Sequence, residues 1–415
     1  MHLRQLNEIL NKRGLSKPDL DALRPNIDDY QVLLYQPLGR VFGSPTRVGN
    51  MNTDTASEQC YAMCRTAVSE GAQLFVAPEY SFPWPALGRC LDEGITPPLG
   101  ALWVLGCESI SFNELEAFIA AYKDRLETIH EDIAQLDRAG KTFLDPVVYL
   151  FRTTTADGAA KLVAVVQFKT HPSIDPERIE GDNLCLGKTV YVLGEVGLTT
   201  RLVTFICSDV FKVDNACAGE VYDRALILHI QLNPNPRETT YLQYRRILMG
   251  LTTHETEIIC LNWSQSVKEW VDDGNNHVKL KRWRNISGSA WYLRPDKFDG
   301  TDSRIASNHR AGLYYTYLAP KWHALFFNYS RKAYLIKTSK VWHRNVAAVQ
   351  SKRTGPRVVR TLTWNWGAQS WCEATSVCDA FVPLLSGWGA ATQPLVDLHE
   401  ASPLYVERIL AGRGN

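Results

Sequence analysis

Residues 199–211 read TTRLVTFICSDVF, an apolar and β-branched run from Leu202 to Ile206 that ends on Cys207, Ser208 and Asp209. A strand covered on both faces has this form, because neither face has to present polar groups to solvent. Two other stretches share it. Residues 72–83, AQLFVAPEYSFP, deliver Glu79, and residues 161–173, KLVAVVQFKTHPS, deliver Lys169. Open α/β sheets assemble their sites from polar groups at the carboxyl ends of buried strands, so the three endings point to one site.

The surrounding pattern predicts alternating strands and helices. DYQVLLYQP reads as a strand, residues 53 to 70 as an amphipathic helix, and ALWVLGCES as a strand after a Pro/Gly-rich loop, SFPWPALGRC, whose Trp84 would either narrow the pocket or simply pack the loop. Between residues 112 and 139, Leu115, Phe118, Ile119, Tyr122, Leu126, Ile129, Ile133 and Leu136 recur at three-and-four spacing, which predicts one long helix ended by Gly140. DPVVYLFRT and KLVAVVQFK flank the turn TTADGA, and TVYVL and RLVTFIC flank GEVGLTT. Both pairs read as hairpins, so the sheet is of mixed direction.

The chain has 415 residues, 45% of them hydrophobic, with 45 Lys/Arg against 44 Asp/Glu, so bulk charge selects no partner. No stretch approaches the roughly 20 apolar residues of a membrane span, and the N-terminus lacks an apolar signal core. The expectation is a cytoplasmic protein without a membrane partner. Its 10 cysteines lie largely inside strand and helix patterns and read as reduced thiols. Cys60 and Cys64 share the buried face of a helix, and neither they nor Cys372 and Cys378 have a matching Cys/His pair nearby, so no metal is expected. Gly181 to Thr189 nearly spells a phosphate-binding loop but is one residue too long and runs into a strand, and no cofactor is expected. Residues 279–360 carry 18 Lys/Arg against 3 Asp/Glu, with Trp283, Trp291, Trp322 and Trp342 interleaved. Solvated strand faces pairing with the acidic first half account for that bias, with nucleic acid as the alternative partner.

Glu79, Lys169 and Cys207 together offer a base, a cation and a nucleophile. A cysteine attacks as thiolate, or beside a base that takes its proton, and Glu79 can be that base. The Lys169 ammonium and the backbone N–H of Ser208, just after the nucleophile, could hold the charge of a tetrahedral intermediate.

In this order and context the chain resembles the nitrilase superfamily, the carbon-nitrogen hydrolases, from about Tyr30 to Trp263 and more weakly to about residue 338. FVAPEY resembles that family's run into its base glutamate, VVQFKTHPS its strand into the lysine, and RLVTFICSDVF its nucleophile strand. The resemblance implies an αββα sandwich, four-layer as a dimer, with catalytic Glu79, Lys169 and Cys207. It also implies a second glutamate that orients the lysine, best matched by Glu180, with Glu177 the runner-up. Asp209 is read as structural, hydrogen-bonded to nearby backbone.

The implied organisation is an N-terminal helical segment (1–29), a nitrilase-like domain (30–338) with a helical insertion (112–139), and a C-terminal extension (339–415). The implied function is hydrolysis of a small nonpeptide amide or N-carbamoyl compound through a thioester, by a homodimer or larger assembly. The alternative is a binding or regulatory protein of the same fold, engaging nucleic acid or a larger assembly, as in bacterial defence, through residues 279–360.

Overall fold

The computed structural model describes residues 1–264 except 27, 235, 237–238 and 252–254. Beyond these it describes 268–272, 278–282, 289–294, 303–319, 322–328, 332–342 and 355–374, with two short strands, Leu385–Ser386 and Asp397–Leu398. Trp283, much of the basic stretch and most of the region after residue 374 lie outside the described residues.

In chain order the first elements are β1 (His2–Gln5), α1 (Leu6–Lys12), β2 (Tyr30–Gln36), β3 (Arg40–Ser44), β4 (Arg47–Asn50), α2 (Thr53–Ser69), β5 (Leu74–Phe82), α3 (Trp84–Asp92), β6 (Leu102–Cys107) and α4 (Phe112–Tyr122). There follow β7 (Glu127–His130), β8 (Pro146–Thr154), β9 (Ala160–Phe168), α5 (Ile179–Asn183), β10 (Thr189–Leu193), β11 (Arg201–Ile206), α6 (Asn215–Val221), β12 (Ala225–Gln231), α7 (Thr239–Gly250) and β13 (Thr256–Asn262). The last are β14 (Lys268–Asp272), β15 (Val278–Arg282), β16 (Ala290–Leu293), α8 (Ser303–Arg310), β17 (Leu313–Ala319), β18 (Trp322–Phe327), β19 (Lys332–Thr338), β20 (Arg357–Asn365) and β21 (Ser370–Glu373).

Two large mixed sheets result. One is eight-stranded, ordered β1-β10-β11-β12-β13-β16-β18-β17; the other is nine-stranded, ordered β21-β20-β19-β2-β5-β6-β8-β9-β7. A four-stranded sheet, β15-β14-β3-β4, stands beside them. Strand side chains alternate faces, and the cores follow that alternation. Val32, Leu34, Leu74, Val76, Leu102 and Val104 of one sheet join Leu202, Ile206, Leu226, Leu228 and Ile259 of the other in a shared core. Their neighbours Leu33, Tyr35, Phe75, Ala77, Trp103 and Leu105 turn outward onto Cys60, Met63 and Cys64 of α2 and Leu87 of α3. Val203, Phe205 and Ile227 turn the other way, onto Ala218 and Val221 of α6 and Tyr244 and Leu248 of α7. Both faces of both sheets are therefore covered, which is why their strands read as unbroken apolar runs. The four layers, expected of a dimer, are all supplied by one chain.

Other expectations are corrected. The single helix over 112–139 is instead α4, followed by β7 and a short 3₁₀ turn at Ile133–Gln135. β7 pairs in parallel with β9, placing Ile129 opposite Val165, so the open edge of the sheet satisfies backbone groups that a continued helix would have paired internally. Leu126, Ile129, Ile133 and Leu136 are all buried without a common helix. The loop SFPWPALGRC is largely helix α3, with Pro83 as its N-cap and Pro85 in its first turn, where a missing N–H costs little. Beyond residue 338, β20 and β21 continue the nine-stranded sheet through β19, which pairs with β2.

One irregularity positions the site. β5 and β6 run in register to Ala77 opposite Leu105 and rejoin at Phe82 opposite Cys107, so Pro78 to Ser81 arch away from the sheet. Gly106 sits under that arch; a Cβ there would lie 2.3 Å from the Pro78 carbonyl oxygen and 2.7 Å from the Glu79 nitrogen. Because both obstacles are backbone, Gly106→Ala is expected to destabilise the fold by about 1–3 kcal/mol or more. Thermal unfolding of the variant checks this, and an unchanged midpoint would mean that the arch is not held against β6.

Candidate active site

Glu79 leaves the arch of β5, Lys169 follows β9, and Cys207 follows β11, so the site lies at the seam of two sheets. The left-handed backbone conformation, which non-glycine residues rarely adopt, occurs at Tyr80 (φ 56°), next to Glu79, and at Cys207 itself (φ 41°). It recurs at Arg178 (φ 56°), just before the short helix α5 that carries Glu180. Strain of this kind persists where the surroundings over-determine the backbone. At Cys207 the surroundings are identifiable. Its carbonyl lies 2.9 Å from His229 Nε2, and the next residues form a 3₁₀ turn, Cys207–Lys212. Asp209 accepts from the backbone N–H of Ile206 at 3.0 Å, of Thr170 at 2.6 Å and of His171 at 3.1 Å. That carboxylate joins the strand end bearing Cys207 to the one bearing Lys169, which is the structural role read for it.

Lys169 is fully buried, with 0% side-chain exposure, and its ammonium is the hub. Nζ lies 2.6 Å from Glu79 Oε1, 2.7 Å from Glu180 Oε1, 3.1 Å from Ser173 Oγ and 3.5 Å from Asp145 Oδ2. The oxygens of Glu79, Asp145 and Glu180 come within 4.8 Å of one another, close enough for a cation to bridge. The ammonium of Lys169 is such a cation. Burial alone would push this ammonium's pKa down, but Glu180 and Glu79 outweigh it and hold it well above the ordinary value. Glu79 is raised by burial, against the pull of Lys169. Its second oxygen accepts from the backbone N–H of Leu232, and its carbonyl from Trp263 Nε1 at 2.7 Å. Of the two glutamates weighed, Glu180 meets Lys169, and it also accepts from Tyr80 OH at 3.0 Å and from the Ser173 N–H at 2.6 Å. Glu177 stands in the cavity wall.

Cys207 Sγ opens onto a cavity of about 250 Å³ also lined by Tyr80, Ser173, Glu180, Leu232 and Tyr241. The sulfur lies 3.6 Å from Tyr241 OH and 3.9 Å from Ser173 Oγ, so Ser173 links it to the Lys169 ammonium. Burial, reinforced by Glu79, raises the thiol pKa well above its usual value, with Lys169 opposing. The resting group is therefore a thiol that needs a base. The Ser208 hydroxyl donates to His171 O at 2.6 Å and is committed to the fold. Of the two roles read for Trp84, packing is the one seen: it donates from Nε1 to Glu108 O at 2.9 Å and packs on Phe118 at 4.9 Å.

Sequence reasoning missed Asp145, Ser173, Tyr80, Tyr241 and His229. Ser173 and Tyr80 stood inside the stretches already read, and Asp145 faces Lys169 at the open end of the hairpin, where Pro146 pairs with Phe168 and Lys169 N donates to Asp145 O at 2.9 Å. Tyr241 and His229 had no local signal. His229 is buried, its pKa pushed down to about 3 by burial and Arg245, and it holds Tyr244 OH at 2.8 Å with its other nitrogen.

No family model and no curated protein matches the chain. Among solved structures it is similar to a glutamine-dependent NAD+ synthetase from Acinetobacter baumannii, at 11% identity and TM-score 0.40 over 79% of this chain. The chain spans 49% of that synthetase's length. It is also similar to an amidase from Nesterenkonia carrying the acetamide moiety of fluoroacetamide on its active-site cysteine, at 14% identity and TM-score 0.36 over 65% of this chain and 84% of that one. A third is a CN-hydrolase superfamily protein from Xanthomonas campestris, at 12% identity and TM-score 0.32 over 63% and 81% of the two chains.

Burial, and after it the charge of Glu79, pushes the Asp145 carboxyl well above its ordinary pKa, against the pull of Lys169. Such a carboxyl keeps its proton in the folded chain while the unfolded chain releases it near pH 4. The folded state then binds the extra proton, and stability falls as pH rises above that value. Asp145→Asn removes this titration and keeps the shape. Its melting temperature is expected to rise relative to the parent as pH goes from about 5 to about 8; a difference that does not change with pH would show Asp145 to be ionised throughout.

Proposed function

We propose that this chain is a carbon-nitrogen hydrolase that acts on small nonpeptide amides or N-carbamoyl compounds through a thioester on Cys207. The observation that carries the reading is the buried Cys207 thiol on a small cavity, linked through Ser173 to an ammonium that Glu79 and Glu180 hold in place. A cavity of about 250 Å³ suits a small substrate. Among the described residues its wall carries Asp175, Glu177, Glu180 and Glu269.

In this reading Glu79 takes the Sγ proton as the sulfur attacks the substrate carbonyl carbon. The resulting oxyanion is held by the Lys169 ammonium and the Ser208 N–H. Glu79 then returns the proton to the leaving nitrogen, the C–N bond breaks, and the acyl group remains on sulfur. Water enters, gives a proton to Glu79 and attacks the thioester; collapse releases the acid, and the thiolate regains its proton. Glu180 and Asp145 touch Lys169 and are positioning groups. Assembly as a homodimer or larger belongs to the same proposal.

Cys207→Ala is expected to abolish turnover, and intact mass after incubation with a mixed amide and carbamoyl library should show one acyl adduct, on Cys207. An adduct on another cysteine, with Cys207→Ala still active, would overturn the mechanism. The base assignment makes a separate prediction. Because Glu79 must be ionised to accept the proton and burial raises its pKa, kcat/KM should fall on the acid side at a pH above the ordinary glutamate value of about 4.3. Glu79→Gln should lower kcat/KM by about 100-fold or more, while Cys207 remains open to alkylation by iodoacetamide, at a pH no higher than in the parent because a neutral side chain no longer raises the thiol. Unchanged kcat/KM in Glu79→Gln would remove Glu79 as the base.

A further inference from the structure

The segment TLTWNWGAQSWC, residues 361–372, carries three tryptophans to which the catalytic reading gives no task. Strands β20 and β21 fold it into a hairpin in which Trp364 pairs with Trp371. The two rings stand edge to face, 5.4 Å between centroids, and Trp371 meets Tyr35 edge to face at 5.7 Å. Trp366 stands at right angles to Trp364 at 6.4 Å and is 60% exposed. Together with Arg40, Gln59 and Lys268 these rings line a second cavity, of about 450 Å³.

Its electrostatics are the reverse of those at Cys207. Among the described residues the lining contains Arg40 and Lys268 and no Asp or Glu. The two cations are direct partners across β3 and β14, and like charges directly opposite on neighbouring strands repel. Among the described residues neither meets a carboxylate; Arg40 lies over the Trp270 ring at 5.5 Å. An anion between them would relieve the repulsion. Gln59 holds Trp371 Nε1 with its backbone carbonyl at 2.9 Å, so its side-chain amide adds a hydrogen-bonding edge to the pocket without being needed there by the fold.

The two cavities share a wall. Arg40 and Gly43 of β3, and Lys268 and Val271 of β14, are separated by an odd number of residues and so face opposite sides of the small sheet. Gly43 and Val271 line the Cys207 cavity, whereas Arg40 and Lys268 line the tryptophan cavity.

We infer that the tryptophan cavity is a binding site for a planar ring bearing an anionic group, of the nucleoside monophosphate class, distinct from the Cys207 cavity. The ring stacks on Trp366 against the edges of Trp364 and Trp371, and the anion lies at Arg40 and Lys268. Stacking on an aromatic face is tolerant of the ring's identity, and the arginine and lysine are matched to a phosphate. The same chemistry arises from a free nucleotide or from one unit of a single strand. The inference does not depend on the catalytic reading.

Isothermal titration of the full chain with AMP, adenosine, ribose 5-phosphate and a single-stranded oligo-dA tests it. AMP is expected to bind, with adenosine and ribose 5-phosphate each weaker by about tenfold or more, because each lacks one of the two contacts. Trp366→Ala, and Arg40→Gln combined with Lys268→Gln, should each weaken AMP by about tenfold or more, while Trp366→Phe retains most of the affinity. These residues are on the cavity rim, and an unchanged melting temperature separates lost binding from lost fold. If oligo-dA binds more tightly than AMP and loses affinity in the same variants, the source is single-stranded nucleic acid; if AMP binds and oligo-dA does not, it is the free nucleotide. Absence of AMP binding, or AMP binding indifferent to Trp366→Ala, would overturn the inference.

Discussion

One ammonium carries the architecture of the site. Lys169 is withdrawn from water at the seam of two sheets, and three carboxyl groups from three other segments converge on it. Breaking such a pair by removing one partner leaves an unmatched buried charge, at about 3–5 kcal/mol. The surrounding structure is correspondingly specific. The arch of β5 needs Gly106 beneath it, the hairpin of β8 and β9 presents Asp145 beside Lys169, and Asp209 ties that hairpin to the turn bearing Cys207. Each is a local irregularity set against otherwise regular strands.

The same cluster governs protonation. Burial raises Glu79, Asp145 and Cys207 together against the pull of the ammonium, so each holds its proton to a higher pH than it would in water. Groups coupled this closely titrate as a unit. The consequence is a resting thiol beside a carboxylate that can accept its proton, with a fixed positive charge at hand. In this arrangement stability and reactivity draw on the same few contacts.

These two cavities differ in charge. The one at Cys207 is walled by carboxylates, the one at the tryptophans by an arginine and a lysine, and the sheet of β3, β4, β14 and β15 stands between them. That sheet forms late in the chain, since β14 must return to pair with β3, and the tryptophan cavity is completed only when β20 and β21 join the large sheet. Residues far apart in sequence thus decide what each cavity can hold.

The strands and the three polar residues that end them were legible in the sequence, because a strand buried on both faces must be apolar throughout and a polar residue at its end then stands out. Both hairpins and helix α2 were legible for the same reason, their pattern being local. The helix read over 112–139 failed because three-and-four spacing records burial, and β7 buries the same residues by pairing with a sheet edge that the sequence does not display. The seam itself belongs to the tertiary structure alone. Only the packing of one sheet on the other brings Glu79 and Lys169 to Cys207, adds Asp145, Ser173 and Tyr241, and removes the water that would otherwise set their charges. Burial and mutual distance fix those charges, and neither is a property of any single segment.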